Sequence, residues 1–330
     1  MSNSCRDSIL IKIGSINHRV DGTFLAHITE NVAIDLWLAD LGLHNPEVDL
    51  ELMARYWQIL STSEQKRAAL MGTQRSREFI LTRGILRELL SSYSASSPQD
   101  LAIVVSSNGK PYLDPTGLET KISFSVSHGQ NLALYGIMPN THSNNGNHFG
   151  VVGIDLELQH RDLATSKINK LVKRYFLPQE QEIWFRHLLK DLQNYNLNAN
   201  NNLTKVCFLR SWTAKEAYAK ATGLGLAHTL NHLDTSPWLA NALEQLRVLN
   251  WQDHDSLWLN LGFDLPDLQL IPPDDAGNDA RKLSGIYNEG LNQSLNQDLA
   301  YSVRNLSPLF SKISRSDCIG AVCWRQAQQI

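Results

Sequence analysis

The 330-residue chain has few cysteines, no excess of positive charge and no long apolar segment. Its four cysteines show no C-x-x-C spacing, which disfavours a zinc site or a disulfide framework and is typical of reduced, cytoplasmic proteins. A net charge of −3 disfavours a general nucleic-acid binder, whose surface would be strongly basic. No apolar run reaches the roughly 18 residues of a membrane span. We therefore expect a cytoplasmic protein of one or two domains that binds neither nucleic acid nor membranes.

One acidic residue of interest lies in a helical pattern. Residues 208–220 have the periodicity of a helix, with Glu216 at the edge of its apolar stripe and Lys220 one turn further on. Gly223 and Gly225 then end the helix. One interpretation is an ordinary surface pair between Glu216 and Lys220, which would add only about 0.2–0.5 kcal/mol to the helix.

A second acidic segment has the alternation of a strand. Between residues 150 and 158, apolar side chains alternate with Gly153, Asp155 and Glu157, so both carboxylates face one side, about 7 Å apart along the strand. Three carboxylates on two regular elements, without a nearby His or Cys, suit a hard divalent cation with oxygen ligands. Mg²⁺ is the first candidate, and Mn²⁺ could replace it.

Both acidic segments resemble motifs of one protein family. Residues 153–157 (G-I-D-L-E) are similar to the G-[IV]-D-x-E element, and residues 212–220 (W-T-A-K-E-A-Y-A-K) to the W-x-x-K-E-x-x-x-K element, of the surfactin-synthetase-activating type of 4'-phosphopantetheinyl transferase. The resemblance covers roughly residues 60–230. It implies an α+β fold of two similar α/β lobes related by a pseudo-twofold, with coenzyme A between them. The lobes would be residues 1–140 and 150–330.

The resemblance also implies contacts with coenzyme A, chiefly with its phosphates. They would come from a basic helical segment, a G-K-P loop, a strand ending in Ser-His and the helix of the second motif: Lys66, Arg67 and Arg83; Lys110 and Pro111; Ser127 and His128; and Lys215. The residues alone allow plainer interpretations. The segment 61–93 could be a solvated basic helix, 107–113 a simple turn, and His128 a structural residue at a strand end.

The activity implied by the resemblance is Mg²⁺-dependent transfer of 4'-phosphopantetheine from coenzyme A to a serine of an apo acyl or peptidyl carrier protein, which releases 3',5'-ADP. Asp155, Glu157 and Glu216 would bind the metal, with Glu157 either a ligand or a holder of water. Glu216 would accept the serine proton, and Lys220 would stabilise the phosphates or protonate the leaving group. Two alternatives are a coenzyme A-binding regulator without transferase activity and a non-enzymatic interaction module. We expect a monomer.

The sequence also predicts the supporting elements. Helical periodicity begins near Leu60, with Ser61 or Ser63 able to cap and Glu64 in the first turn. Residues 174–176 (R-Y-F) are similar to a family element that begins the carrier-docking segment. Strands are expected at residues 9–13, 33–39, 101–105, 122–128, 133–137, 257–261 and 318–324. Polar insertions are expected near residues 139–148, 190–204 and 272–297, the second of them rich in Asn.

Overall fold

The computed structural model describes residues 18–20, 23–29, 34–41, 46–94, 96–114, 121–140, 150–159, 161–188, 201–225, 229–230, 232–248, 268–270, 301–306 and 318–325. The predicted strands at 9–13 and 257–261 and the predicted insertion at 272–297 lie outside these residues. The contacts divide the chain into two compact units, each described here by itself: residues 1–104 with 112–141, and residues 105–111 with 142–330.

The first unit contains an antiparallel sheet of five strands. Their order is β1-β2-β3-β7-β6, with β1 His18–Val20, β2 Thr23–Thr29, β3 Asp35–Asp40, β6 Lys121–Gly129 and β7 Leu132–Asn140. Strands β6 and β7 form a hairpin in which Ser127 lies opposite Leu134 and His128 opposite Ala133. The expected strands at 33–39, 122–128 and 133–137 are therefore confirmed.

Three helices pack into the core of the first unit: α1 Pro46–Ile59, α2 Thr62–Ala69 and α3 Thr73–Ser94. Ser61 is the residue that caps α2: its hydroxyl accepts from the Glu64 amide, and the Glu64 carboxylate accepts from the Ser61 amide at 3.0 Å. The helical segment that the sequence predicts is thus two helices, separated at residues 70–72. Gly84 of α3 is required because a Cβ there would lie 2.6 Å from the Tyr56 Cβ of α1.

A short hairpin joins β4, Ile103–Val105, to β5, Pro111–Leu113. Gly109 adopts a φ of 85°, and the Ser106 amide donates to the Lys110 carbonyl at 2.9 Å. The Asn-Gly turn that the sequence predicts is confirmed, since only glycine adopts this backbone conformation without strain. The tip, residues 105–111, groups with the second unit.

The second unit has an antiparallel sheet in the order β8-β11-β10-β9, formed by β8 Val151–Leu158, β11 Cys318–Arg325, β10 Tyr301–Asn305 and β9 Leu268–Leu270. Its helices are α4 Thr165–Tyr175, α5 Pro178–Glu182, α6 Asn201–Thr222 and α7 Ser236–Val248, with a π-helical turn at Ile183–Leu188. The predicted α+β class is confirmed.

Helix α6 confirms the helix predicted at residues 208–220 and corrects the predicted boundary of the polar insertion before it. It ends at Thr222, where Gly223 follows with a φ of 70° and donates its amide to the Ala219 carbonyl at 2.9 Å. Its first turn contains Asn201 and Asn202, which the sequence assigns to a polar insertion. Among the described residues, no helix is both long and apolar enough to cross a membrane.

Candidate active site

Strand β8 packs directly against helix α6 at Gly153. A Cβ at this position would overlap the Ala217 carbonyl oxygen and the Ala221 amide and would lie 2.8 Å from the Ala221 Cα. Because residues of a strand alternate between faces, Asp155 and Glu157 point to the same side as Gly153. The glycine therefore lets α6 lie directly against the face that carries both carboxylates.

Asp155 and Lys220 form an ion pair across this interface. The Lys220 ammonium lies 2.7 Å from Asp155 Oδ1, and the Asp155 side chain is 7% exposed. Glu216 lies one turn before Lys220 on α6. Burial, followed by repulsion from Asp155, raises the pKa of Glu216 to about 7, while Lys220 acts in the opposite direction. The structure thus brings the two predicted motifs together.

Glu157 has a partner of its own, Arg161. The Arg161 guanidinium binds the Glu157 carboxylate four residues earlier, and the Lys205 ammonium of α6 donates to the Arg161 carbonyl at 3.2 Å. Burial and the Asp155 charge raise the pKa of Glu157, against the effect of Arg161 and Lys220. Each strand carboxylate is therefore paired with one cationic side chain.

Lys215, the other lysine of the second motif, does not face solvent. Its ammonium lies 3.0 Å from Glu180 Oε2 and donates to the carbonyls of Leu230 at 2.9 Å and Leu233 at 2.5 Å, with both charged side chains fully buried. Burial lowers the pKa of Lys215, and Glu180 opposes this shift. The ammonium is surrounded by protein acceptors, and its predicted contact with coenzyme A phosphate stays a prediction.

Glu180 completes this buried network. One carboxylate oxygen accepts from the Leu177 amide at 2.6 Å, and the other accepts from the Thr235 amide at 2.7 Å and from the Thr235 hydroxyl. The Lys215–Glu180 pair therefore joins α6, the start of α5 and the segment before α7. A charge pair buried to this extent is stable only when its remaining donors and acceptors are also satisfied.

The aromatic residues of the R-Y-F element pack on α6. Phe176 stacks on Phe208 with ring centroids 5.9 Å apart, and Tyr175 meets Trp212 edge to face at the same separation. These contacts hold α4 against the N-terminal half of α6, with Glu216 in the next turn.

Lys110, at the tip of the β4–β5 hairpin, lies at the end of α6. Its ammonium donates to the Ala221 carbonyl at 2.9 Å, in the last turn, where helix carbonyls lack an intrahelical partner. Pro111 is half-buried as the first residue of β5. Both predicted coenzyme A contacts thus lie in the second unit.

The remaining predicted contacts lie in the first unit. Lys66 and Arg67 are exposed on α2. Arg83 of α3 lies 3.2 Å from Glu64 Oε1 and is mostly buried. Arg87 is an exception to the expected solvated helix: it is 1% exposed and places its Nε 2.7 Å from Glu64 Oε2.

Ser127 and His128 end strand β6. The Ser127 side chain is buried and that of His128 is exposed, as alternation along the strand requires. Gln130 and Asn131, both with positive φ, then turn the chain into β7. The predicted position of His128 at a strand end is confirmed, and its contact with phosphate stays a prediction.

Comparison with known proteins gives the family. The family model described as the 4'-phosphopantetheinyl transferase superfamily matches residues 151–260. The chain is 35% identical to the 4'-phosphopantetheinyl transferase HetI of Nostoc sp. (strain PCC 7120) over 195 aligned residues. These residues make up 59% of this chain and 70% of HetI. The chain belongs to the 4'-phosphopantetheinyl transferase superfamily. A putative 4'-phosphopantetheinyl transferase of Synechocystis sp. (strain PCC 6803), slr0495, is 31% identical over 186 residues, or 56% of this chain and 65% of that protein.

The superfamily and the transferase class that the motifs predict are thus confirmed. The matched segment of the family model contains the whole constellation around β8 and α6, including Asp155, Glu157, Glu216 and Lys220.

The donor chemistry of this transferase site fits a divalent cation. Within the described part of the chain, no group of three His, Cys, Asp or Glu side chains is close enough together to bind a metal ion as the side chains stand. Lys220 and Arg161 instead pair with Asp155 and Glu157. Asp155 nevertheless raises the pKa of both Glu157 and Glu216, and such crowded carboxylates are oxygen donors that a hard cation would stabilise. Asp155, Glu157 and Glu216 are therefore the residues that could bind Mg²⁺ after these pairs rearrange.

Two functional candidates of the transferase escaped the sequence analysis. Arg161 follows the strand by three residues, and only its spacing of four from Glu157 could have indicated a pair. Glu180 lies in a Leu-Pro-Gln-Glu sequence that is typical of a helix start, which explains its contact with the Leu177 amide. Nothing in the sequence indicates its partnership with Lys215, 35 residues later.

Proposed function

We propose that this transferase moves 4'-phosphopantetheine from coenzyme A to the serine hydroxyl of an apo acyl or peptidyl carrier protein, with Mg²⁺. The constellation of Asp155, Glu216 and Lys220 carries the proposal, because it joins oxygen donors for a metal to an ammonium suited to phosphate. The surfactin-synthetase-activating type, two pseudo-symmetric lobes, a monomeric state and a cytoplasmic location belong to the same proposal.

The roles follow from this arrangement. Mg²⁺ bound by Asp155 and Glu216, with Glu157 as a third ligand or a holder of water, would neutralise the oxygens of the coenzyme A diphosphate. Glu216 accepts the serine proton, directly or through a water, as the serine oxygen bonds to the phosphorus of the pantetheine phosphate. The bond from that phosphorus to the bridging oxygen breaks. Lys220 stabilises the charge on the leaving 3',5'-ADP or protonates it.

Helix α4 is the surface that we assign to the carrier. It carries four exposed basic side chains and no acidic residue along its eleven positions: Lys167, Lys170, Lys173 and Arg174. Carrier proteins of the implied class present an acidic helix near the modified serine, so the charges are complementary. The α4 helix also runs into the R-Y-F element, which packs on α6 beside the motif that contains Glu216.

Intact-protein mass spectrometry tests the reaction. A panel of apo carrier proteins is incubated with the enzyme, coenzyme A and Mg²⁺, with and without EDTA. We expect a phosphopantetheine increment that EDTA abolishes. Asp155→Asn and Glu216→Gln should abolish the increment, whereas Glu182→Gln, a surface acid paired only with Arg186 among the described residues, should retain it. Coenzyme A binding with no increment on any carrier would favour the regulator instead.

A further inference from the structure

Two of the arginines predicted to bind phosphate share one aromatic ring. The guanidinium carbon of Arg67, on α2, lies 5.3 Å from the centroid of Phe79, and that of Arg83, on α3, lies 5.7 Å from the same centroid. Both separations are within the roughly 6 Å range of a cation–π contact. Phe79 therefore contacts two like charges, one from each helix.

The Glu64 carboxylate contacts one of these arginines, Arg83. Its Oε1 faces Arg83 Nε at 3.2 Å, while its Oε2 accepts from Arg87 Nε at 2.7 Å and from the Ser61 amide at 3.0 Å. Glu64 is thus held by a helix start and by a fully buried guanidinium. The contact with Arg83 is made at Nε, so it does not use the edge formed by the two terminal nitrogens of that guanidinium.

Arg87 also has hydrogen-bond partners within the protein besides Glu64. Its Nη1 donates to the carbonyls of Pro98 at 2.7 Å and Leu101 at 3.0 Å. Arg87 is therefore committed to the protein core and cannot bind a ligand. Its contribution is to hold the Glu64 carboxylate in one orientation.

The charges in this cluster do not balance. The guanidinium groups of Arg83 and Arg87 both contact the one Glu64 carboxylate, and the guanidinium of Arg67 shares the Phe79 ring with Arg83. Burial lowers the pKa of Arg83, Glu64 opposes that shift, and Arg87 and Arg67 lower the pKa further. An anion bound beside Arg67 and Arg83 would remove this excess of positive charge. Arginine is suited to such an anion because its planar fork matches phosphate oxygens in pairs.

We propose that Glu64 and Phe79 are positioning residues that hold Arg83 and Arg67 together as one binding site for a phosphate group of coenzyme A. Neither residue touches the phosphate: Glu64 fixes the direction of the Arg83 fork, and Phe79 fixes its separation from Arg67. This inference rests on the proposed use of coenzyme A. The phosphate is either the 3'-phosphate or part of the diphosphate, and both have the chemistry that this pair of arginines recognises.

Isothermal titration calorimetry with coenzyme A, dephospho-coenzyme A and 3',5'-ADP tests the inference without the transfer reaction. We expect Glu64→Gln and Phe79→Leu each to raise the Kd of coenzyme A by roughly tenfold, since a loose guanidinium loses entropy on binding. They should raise the KM for coenzyme A and leave kcat unchanged at saturating coenzyme A. If the 3'-phosphate is bound, dephospho-coenzyme A affinity stays constant across the variants. If the diphosphate is bound, the affinity for dephospho-coenzyme A falls in the variants by the same factor as the affinity for coenzyme A.

Ser61→Ala is the matched control, because it removes the other side-chain cap of α2, together with the hydroxyl that donates to Glu64 Oε2 at 3.1 Å, and leaves both contacts of Glu64 with arginine. Coenzyme A affinity should not change in this variant. An equal loss in Ser61→Ala and Glu64→Gln would reduce Glu64 to a helix cap and overturn the inference. Should Glu64→Gln fail to fold by circular dichroism, Phe79→Leu decides, and an unchanged Kd there overturns the inference as well.

The same titrations separate this inference from the proposed function. Wild-type protein that binds coenzyme A but modifies no carrier would refute the transferase reaction and leave the arginine site supported. Wild-type protein that binds none of the three nucleotides would refute both.

Discussion

At the scale of single residues, the site is defined by charges that are too close together. Asp155, Glu157 and Glu216 interact through a partly buried interface, and Lys220 and Arg161 offset only part of their repulsion. A cluster of this kind is unfavourable for folding in the absence of a cation, and it becomes favourable when a divalent ion binds. Two predictions follow from this balance.

The first concerns the pH dependence of stability in the metal-free protein. The pKa of Glu216 rises from 4.5 to about 7 on folding, so the folded state binds more protons between these values. The contribution of Glu216 to stability is therefore present below its unfolded pKa and is lost as the pH rises through 7. In EDTA, the Tm of Glu216→Gln minus that of wild type should increase from pH 4.5 to pH 7.5. A constant difference would contradict the raised pKa.

The second prediction decides whether Glu157 binds metal. Arg161 occupies the Glu157 carboxylate, so removing the guanidinium should free an oxygen donor. Calorimetry of Mg²⁺ binding without coenzyme A should give a Kd for Arg161→Ala several-fold lower than that of wild type. Arg186→Ala removes an exposed arginine that is also paired four residues along the chain, and it should not change the Kd. Equal affinity in Arg161→Ala and wild type would make Glu157 a holder of water.

At the scale of elements, the site depends on how closely β8 and α6 approach. The sequence predicts both elements, the shared face of Asp155 and Glu157 and the glycine stop after α6, because period and capping are local properties. It does not predict the break between α2 and α3 at residues 70–72 or the buried Lys215–Glu180 pair. The break and the buried pair depend on contacts between residues distant in the chain, which local sequence patterns do not reveal.

Gly153 is the position at which this approach can be tested. A Cβ there would overlap backbone atoms of Ala217 and Ala221, which cannot move aside as a flexible side chain can. Gly153→Ala should therefore lower the free energy of unfolding by about 3 kcal/mol or more in urea titrations. Gly72→Ala, where no heavy atom lies within 4 Å of the added Cβ, should have little effect. Equal stability of the two variants would show that the contact is looser than described.

The Lys215–Glu180 pair predicts a stability effect without a binding effect. Lys215→Met leaves the Glu180 carboxylate buried without its ammonium, which should cost about 3–5 kcal/mol of unfolding free energy. The double variant Lys215→Met/Glu180→Gln should recover part of this loss. At a temperature where the double variant is folded, its Kd for coenzyme A should match that of wild type. A large rise in Kd would instead support the predicted contact of Lys215 with coenzyme A.

At the scale of the whole molecule, charge is distributed unevenly. The chain carries a net charge of −3, yet α4 exposes four basic side chains without an acidic neighbour along its length. A local basic face on an acidic protein orients an acidic partner as the two approach. The basic face attracts the partner, and the net negative charge of the remaining chain repels it. This property could be read from the sequence only once α4 had been placed as a helix.

Lys170 provides the test at this scale. Lys170→Glu should raise the KM for an apo carrier about three- to tenfold at low ionic strength and leave kcat unchanged, because the reversed charge opposes docking and not chemistry. The difference should shrink as salt approaches 0.5 M, where the Debye length falls to a few ångströms. Lys121→Glu makes the same charge change at an exposed site on β6 and should leave the KM near wild type. Equal effects of both variants would mean that net charge, and not the α4 face, governs the encounter.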